Sequence, residues 1–227
     1  MFEQNNVKMV SQFLNSYRAF RIRRKYEILL VSFLILIFGS VFFHSDFDSM
    51  PILIFQNVIA SIIIFYGKKK WRLLLFALFV VLMVLELVNL FTGFSSSRIL
   101  FSIAYVIYFI FLSVEVYRQV LTARDVDFGM VSAVLTGFII LGLIGGTLFS
   151  IIEFYRPNSF NNISEGAGAI SDLIYFSLIT IISIGYGDIT PATEIARKAA
   201  MFFGLMGYFY GVVVIGIIMG KYLAKRT

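Results

Sequence analysis

The hexapeptide Ser-Ile-Gly-Tyr-Gly-Asp, at residues 183–188, combines residue types and a spacing that could do chemistry. Glycine has no Cβ and adopts positive φ without steric cost, so glycines at alternate positions let successive carbonyl oxygens turn toward one side. A row of such oxygens can replace the hydration shell of a cation. Four copies around an axis would form rings suited to potassium, with the Ser183 hydroxyl in the innermost ring. The alternative is an ordinary turn, because these residues are common in loops.

Composition indicates which kind of protein surrounds this hexapeptide. The 227 residues are 59% hydrophobic and 14% charged, with a mean hydropathy of +0.90, so polar side chains are too few to cover a water-facing globule. The sequence therefore predicts an integral membrane protein. It contains no cysteine, which excludes disulfides and thiolate metal sites. The single histidine, His44, is interpreted as a solvated loop residue.

Enzyme chemistry is not expected from this sequence. No histidine-carboxylate cluster at metal-ligand spacing occurs, and neither does a nucleophile elbow or a phosphate-binding glycine loop. The sequence therefore predicts that the protein is not an enzyme and that it needs no organic cofactor.

Six segments are apolar and long enough to cross a bilayer, which takes about 20 residues of helix, or fewer where flanking side chains reach back to the interface. All but four of the 19 lysines and arginines fall on one side of these segments, which predicts cytoplasmic N- and C-termini. The formal charge of +6 is therefore a topology signal, and nucleic-acid binding is not needed to explain it. The predicted spans are Tyr26–Phe43, Pro51–Tyr66, Trp71–Phe91, Ile99–Tyr117, Met130–Ile152 and Ala199–Tyr222.

The hexapeptide lies between the fifth and sixth spans, after a polar stretch and a short apolar one. Glu153–Gly168 is predicted to be a polar extracellular turret, and the apolar stretch Ala169–Ile182 is long enough for only half a crossing. The chain must therefore turn back at membrane depth. Non-helical backbone there is tolerated only where it lines a water-filled path or is buried in protein. We expect Ser171 and Asp172 to cap the short helix, and Thr190 and Pro191 to start the next span.

The nine residues TIISIGYGD, at 180–188, resemble the potassium-channel signature, usually Thr-x-x-Thr-Val-Gly-Tyr-Gly-Asp. The resemblance covers the pore region, roughly Met130–Tyr222, and departs from the family pattern at Ser183 and Ile184. It implies a homotetramer whose selectivity filter consists of Ser183, Ile184, Gly185, Tyr186 and Gly187. It further implies potassium ions at Ser183, Ile184, Gly185 and Tyr186, and filter support from Tyr175, Phe176, Thr180 and Asp188. Tyr175 is expected to donate a hydrogen bond to Asp188.

The last span is rich in glycine, which favours either close helix packing or bending. Packing through small residues is the simpler explanation for Gly204, Gly211, Gly216 and Gly220. Gly207 matches the inner-helix hinge glycine of the family that the sequence resembles. We therefore expect Gly207 to permit bending during gating.

Six spans with a pore in the last two resemble the voltage-gated-like superfamily, but the fourth span lacks its arginines. Glu115 is the only charge inside Ile99–Tyr117, and Arg98 and Arg118 flank it. Voltage acts on a crossing charge with about 2.3 kcal/mol per 100 mV, so weak or absent voltage dependence is expected. Glu86 in the third span resembles a voltage-sensor countercharge, but a structural hydrogen bond or a place at the outer interface is the simpler interpretation.

The predicted fold is an all-α membrane protein with six transmembrane helices, a re-entrant pore helix and a filter loop, assembled as a tetramer. The predicted organisation is a basic amphipathic arm at 1–25, a four-helix voltage-sensor-like domain at 26–117, a linker at 118–129 and a pore domain at 130–227. The arm either determines topology or binds anionic lipid. The predicted function is potassium conduction in the cell membrane. The alternatives are a non-conducting modulatory or scaffold subunit and a poorly selective cation channel.

Overall fold

The computed structural model describes residues 24–39, scattered positions between 57 and 84, and residues 95–122, 128–166 and 168–224. Most of the described positions between 57 and 84 are helical. The elements in the longer described stretches are α1 (Lys25–Phe38), α2 (Ser95–Thr122), α3 (Phe128–Tyr155), β1 (Phe160–Asn161), α4 (Gly168–Ile181), β2 (Thr190–Pro191) and α5 (Glu194–Ala224).

The structure is mostly helical and fits an all-α membrane channel. Among the described residues, two stretches of helix are long and apolar enough to cross a membrane, Gly129–Tyr155 and Glu194–Ile218, and Gly168–Ile181 is a shorter apolar helix. These correspond to the predicted fifth span, sixth span and half-crossing. The predicted first span overlaps α1 and the fourth lies within α2, which continues to Thr122 and so enters the predicted linker.

The count of six crossings stays a prediction. Large parts of the predicted second and third spans lie outside the described residues, as do His44 and Glu86. The predicted arm at 1–25 also lies outside them, apart from Arg24 and Lys25.

Two predicted helix starts are wrong. Thr190 and Pro191 do not begin the last helix, because they form β2 and pair antiparallel with Asn161 and Phe160. The helix α5 begins at Glu194, and the Thr193 hydroxyl accepts a hydrogen bond from the Ala196 amide at 3.4 Å, as an N-cap does.

Ser171 and Asp172 do not cap α4, because this helix already begins at Gly168. The Asp172 carboxylate instead accepts a hydrogen bond from the Ser164 amide at 2.7 Å, which ties α4 to the preceding loop. The apolar helix predicted at Ala169–Ile182 is otherwise confirmed to within one residue at each end.

The helix α3 contributes to both hydrophobic clusters of the described chain. One cluster contains Leu29 and Phe33 of α1, Tyr108 and Leu112 of α2, and Ile140 of α3. The other surrounds Phe149, whose fully buried ring lies 5.4–5.5 Å from the rings of Phe160, Phe176 and Phe203. Phe149 thereby brings the turret, α4 and α5 together at one point of α3.

Three buried polar side chains connect α1, α2 and the segment that contains Asn57. The Asn57 amide donates to the Ser32 hydroxyl at 3.0 Å, and the Tyr108 hydroxyl donates to the Asn57 amide oxygen at 3.0 Å. All three residues are at most 2% exposed. Because buried polar groups must be hydrogen-bonded to avoid a desolvation penalty, this network fixes how the three segments face one another.

Tyr210 of α5 contacts both α3 and α2. Its hydroxyl donates to the Val134 carbonyl at 2.7 Å, and its ring lies 5.7 Å from the ring of Tyr117. A Cβ at Gly137 would lie 2.7 Å from the Tyr210 hydroxyl, so glycine there makes room for the phenol. Tyr210 therefore links the N-terminal helices to the last helix.

The helix α4 packs on a stripe of glycines along α3. A Cβ at Gly146 would lie 2.6 Å from the Ile174 Cα, and one at Gly142 would lie 2.5 Å from a methyl carbon of Leu178. Gly145, between them, faces the Ser177 side chain. Spacings of three and four residues place these glycines on one face, so the two helices approach more closely than any side chain would allow.

Gly146→Ala should destabilise the protein. The new methyl would meet backbone, which cannot rotate away, and overpacking of this kind costs about 1–3 kcal/mol. Gly211→Ala in α5 is the matched control, since its Cβ would meet nothing within the chain and alanine is the better helix former. Unfolding in detergent measures both variants. A Gly146→Ala protein as stable as Gly211→Ala would contradict the packing explanation.

Candidate functional site

The chain reverses at the end of α4 through a C-terminal cap. The amide of Ser183 donates to the Thr180 carbonyl at 3.0 Å, and the amides of Ile184 and Gly185 donate to the Ile179 carbonyl at 2.9 and 3.3 Å. Ser183 has φ +64°, so the pattern is a Schellman motif with serine where glycine is usual. A left-handed residue other than glycine costs of order 1–3 kcal/mol, which the surrounding packing must offset.

Positive φ recurs at every second residue after this cap. Gly185 has φ +55° and Gly187 has φ +81°. The predicted left-handed conformations of these two glycines are therefore confirmed. With Ser183, positive φ occurs at three alternate residues, 183, 185 and 187. The sequence did not predict the positive φ of Ser183, because serine usually avoids that conformation.

The segment after the cap is not buried by its own chain. Residues 182–188 are all exposed within the single chain, and the side chains include Tyr186 at 71% and Ile184 at 48%. Exposed main-chain polar groups at membrane depth need water or protein partners. The single chain therefore leaves the main-chain polar groups of this segment uncovered.

Asp188, the last residue of the motif, is held by two hydrogen bonds from different elements. The Tyr175 hydroxyl of α4 donates to the Asp188 carboxylate at 2.7 Å, which confirms the predicted contact. The Asn162 side-chain amide donates to the Asp188 main-chain carbonyl at 2.9 Å. Sequence reasoning missed Asn162, because a loop asparagine that precedes its partner by 26 residues carries no local signal.

The Tyr175 hydroxyl also affects the charge of Asp188. Its hydrogen bond is the main reason that the pKa of the Asp188 carboxyl lies below its ordinary value, and main-chain N–H groups add to the effect. Hydrogen bonds to a carboxylate favour its ionised form. Asp188 is therefore a fixed negative charge directly after the last positive-φ glycine.

The other two predicted supporting residues act through α4. The Phe176 ring is buried 5.4 Å from Phe149 and 5.6 Å from Phe160, so it anchors α4 to α3 and the turret. The Thr180 hydroxyl donates to the Phe176 carbonyl at 2.6 Å, within the helix. The Thr180 main-chain carbonyl accepts the hydrogen bond from the Ser183 amide in the helix cap.

Hydrogen bonds hold the turret in place on both sides of β1. The Glu153 carboxylate at the end of α3 accepts hydrogen bonds from the amides of Asn158 and Phe160 at 2.7 and 3.0 Å. The Ser159 carbonyl accepts the Ala192 amide at 2.8 Å, next to the β1–β2 pair. The turret and the segment after Asp188 therefore form one hydrogen-bonded unit.

Gly207 lies where α5 passes the end of α4. A Cβ at Gly207 would clash with the Ile181 carbonyl and lie 2.8 Å from the Ile181 Cα. Close approach therefore explains glycine at this position, and α5 is a continuous helix through it.

Part of the chain is similar in sequence to known channels. Residues 133–224 match the family model described as "Ion channel". This region runs from α3 through the motif and into α5, and the match indicates a channel and not an enzyme. Together with the apolar helices, it supports a membrane protein.

Three plant relatives align with parts of the chain. Two pore potassium channel c of Oryza sativa subsp. japonica is 34% identical over 70 residues, 30% of this chain and 15% of the relative. Two pore potassium channel b of the same plant is 30% identical over 103 residues, 44% and 26% of the two chains. Two-pore potassium channel 2 of Arabidopsis thaliana is 36% identical over 50 residues, which are 22% of this chain and 11% of the relative. The chain thus spans about a quarter or less of these relatives. No solved structure is significantly similar.

Tyr175→Phe should raise the pKa of Asp188 toward the ordinary aspartate value of about 3.9, because the phenol donor is lost. In the wild type the pKa of Asp188 lies below the ordinary aspartate value. On acidification the wild-type carboxylate therefore stays ionised to a lower pH than the carboxylate of the variant. Titration of the Asp188 carboxyl carbon by NMR measures the difference. Tyr155→Phe, at an exposed tyrosine at the end of α3, is the control and should leave the titration unchanged.

Proposed function

We propose that this chain is a subunit of a potassium-selective channel that conducts ions passively through residues 183–187. The observation that carries the proposal is the alternation of positive φ at Ser183, Gly185 and Gly187 directly after a helix cap. The cap uses the amides of residues 183–185, and among the described residues no main-chain hydrogen bond goes to the carbonyls of residues 183–187. Such carbonyls are the ligands that replace the hydration shell of potassium.

The proposed potassium sites lie at Ser183, Ile184, Gly185 and Tyr186. The C-terminal end of α4, with its partly negative carbonyls, lies at the inner end of this row and favours a cation there. The Ser183 hydroxyl would add the innermost oxygen ring. Conduction then consists of exchange between adjacent oxygen rings, each strong enough to bind the ion and weak enough to release it. The names of the aligned relatives support potassium as the permeant ion.

We propose a homotetramer because a lone subunit supplies only one side of such a path. Within the single chain the filter segment is exposed, and so is an apolar face of α5 that includes Phe202, Leu205, Phe209 and Val212. An apolar face of this extent is typical of a surface that another protein chain or lipid covers. Neighbouring copies around the filter axis would cover both surfaces at once.

Gly207 is proposed to have a second role as a gating hinge. Its close contact with Ile181 places it where α5 leaves the support of α4. Tyr210, one helical turn further on, is anchored to α3. Bending between these two contacts would move the inner end of α5 without moving the filter.

Gly185→Ala should reduce potassium flux strongly, because alanine at φ +55° is strained by of order 1 kcal/mol or more and the carbonyl alternation depends on that conformation. Gly166→Ala is the matched control. Gly166 has φ +68° in the turret and equally open surroundings, so it introduces the same backbone strain outside the proposed path. Flux from liposomes that contain the purified protein, driven by a potassium gradient, measures both variants.

The same liposomes separate the proposed function from its alternatives. Replacing potassium with sodium should abolish flux, and barium, as a potassium-sized blocker, should inhibit it. Equal potassium and sodium flux would indicate a poorly selective cation channel. Absence of flux under every lipid and voltage condition would indicate a non-conducting modulatory or scaffold subunit.

The helices before α3 are proposed to form a voltage-sensor-like domain that does not sense voltage. In α2 the Glu115 carboxylate lies 3.5 Å from Arg118, so the acid and its basic neighbour pair locally at one end of the helix. The conductance–voltage curve should therefore be shallow, since little charge can cross the field. Steep activation in a bilayer that contains only the purified protein would contradict this proposal.

We further propose a cell-membrane location with both termini cytoplasmic. The asymmetry of basic residues supports this orientation. The basic arm before α1 is proposed to interact with anionic lipid headgroups, which attract clustered lysine and arginine. Gating that does not respond to anionic lipid would leave the arm with a topological role alone.

A further inference from the structure

Asn162 of the turret contacts the main chain at the outer end of the proposed filter. Its side-chain amide donates to the Asp188 carbonyl at 2.9 Å, while Tyr175 holds the carboxylate of the same residue at 2.7 Å. We propose that Asn162 is a positioning residue that keeps the outer end of the filter in its conducting conformation when potassium is scarce. This inference rests on the proposed function.

Asn162 is preorganised for this contact. Its backbone has φ +60°, a conformation that asparagine tolerates better than most residues. On one side Asn161 pairs with Thr190 in the β1–β2 sheet, and on the other the Ser164 amide is bonded to Asp172 at 2.7 Å. Because the chain is bonded one residue before Asn162 and two residues after it, little conformational freedom is lost when the Asn162 amide makes its bond.

The Asp188 carbonyl needs such a partner because of its position. Asp188 follows Gly187, whose φ of +81° and open surroundings let the peptide between the two residues rotate with little steric resistance, and a bond to the Asp188 carbonyl holds the chain on the far side of that peptide. When potassium occupies the path, attraction to the ion helps to hold the carbonyls in place. Without the ion the carbonyl dipoles repel one another, and external hydrogen bonds must hold the backbone.

The contact also explains why the turret is so heavily bonded. Glu153 fixes the start of the turret, and the Ser159 carbonyl ties it to Ala192 beyond the filter. A turret that was only a solvated linker would gain nothing from these bonds. As a frame for Asn162, it connects the outer end of the filter to α3.

The test uses two variants of the full chain that remove the amide donor and keep the backbone. Asn162→Gly tolerates positive φ without strain, and Asn162→Asp keeps the shape of the side chain but cannot donate. The control is Asn161→Ala, which removes a neighbouring amide that bonds the Thr190 hydroxyl at 3.1 Å. Liposomes are held without potassium for increasing times, and the recovery of potassium flux and its ratio to sodium flux are then measured.

Both Asn162 variants should lose recoverable flux about fivefold faster than the wild type, the factor expected from one lost hydrogen bond. Their potassium-to-sodium flux ratio should fall after the potassium-free interval and match the wild type without it. Asn161→Ala should behave like the wild type. A merely structural role would lower flux at all potassium concentrations and would not depend on the interval.

Three outcomes would overturn the inference. If both Asn162 variants match the wild type while Tyr175→Phe loses flux faster, the filter end is held by Tyr175 alone. If Asn162→Gly is impaired and Asn162→Asp is not, the amide donor is not what matters. If the wild type shows neither potassium flux nor stabilisation by potassium against heat, the proposed function fails and the positioning role fails with it.

Discussion

The structure depends on one backbone constraint, the reversal of the chain at the end of α4. Ile179 and Thr180 accept the amides of the next residues, and Ser183 takes a left-handed conformation to make this possible. An unfavourable residue conformation persists only where its surroundings determine it. Contacts from three directions hold α4 and the residues after it in place.

Each direction uses a different kind of contact. From α3, a glycine stripe lets the backbone of α4 approach directly, with Gly146 against Ile174. From α5, Gly207 allows the helix to touch the Ile181 main chain at the last turn of α4. From outside, Tyr175 and Asn162 hold Asp188. The chain is therefore held before the reversal by α3 and α5, and after it by the bonds to Asp188. A row of carbonyls with defined positions requires support of this kind.

Local patterns predicted much of this site. The bounds of α4 followed from an apolar stretch between a polar loop and the glycines, and the positive φ values of Gly185 and Gly187 followed from the residue type. The Tyr175–Asp188 bond followed from the resemblance to a known signature. These features depend on neighbours in sequence or on a motif, so one chain was enough to find them.

Other features depend on contacts between residues distant in sequence. The residue types of Thr190 and Pro191 favour the start of a helix, but the two residues pair with Asn161 and Phe160 in a sheet instead. No local sequence pattern reveals that pairing. The left-handed Ser183 was not predictable for another reason, because the main-chain hydrogen bonds of the helix cap outweigh the usual preference of serine. The role of Asn162 also requires the folded turret. Sequence thus predicts the elements and their chemistry, while their mutual support requires the structure.

The buried network of Ser32, Asn57 and Tyr108 has a mechanical consequence for the N-terminal helices. Sliding α1 past α2 by one helical turn, about 5.4 Å, would separate the three polar groups and leave them among hydrocarbon side chains. The hydrogen bonds that Asn57 makes with Ser32 and Tyr108 would then be lost. The network therefore resists sliding of α1 along α2, so a movement of α1 would carry α2 with it, and α2 contacts α5 through the rings of Tyr117 and Tyr210.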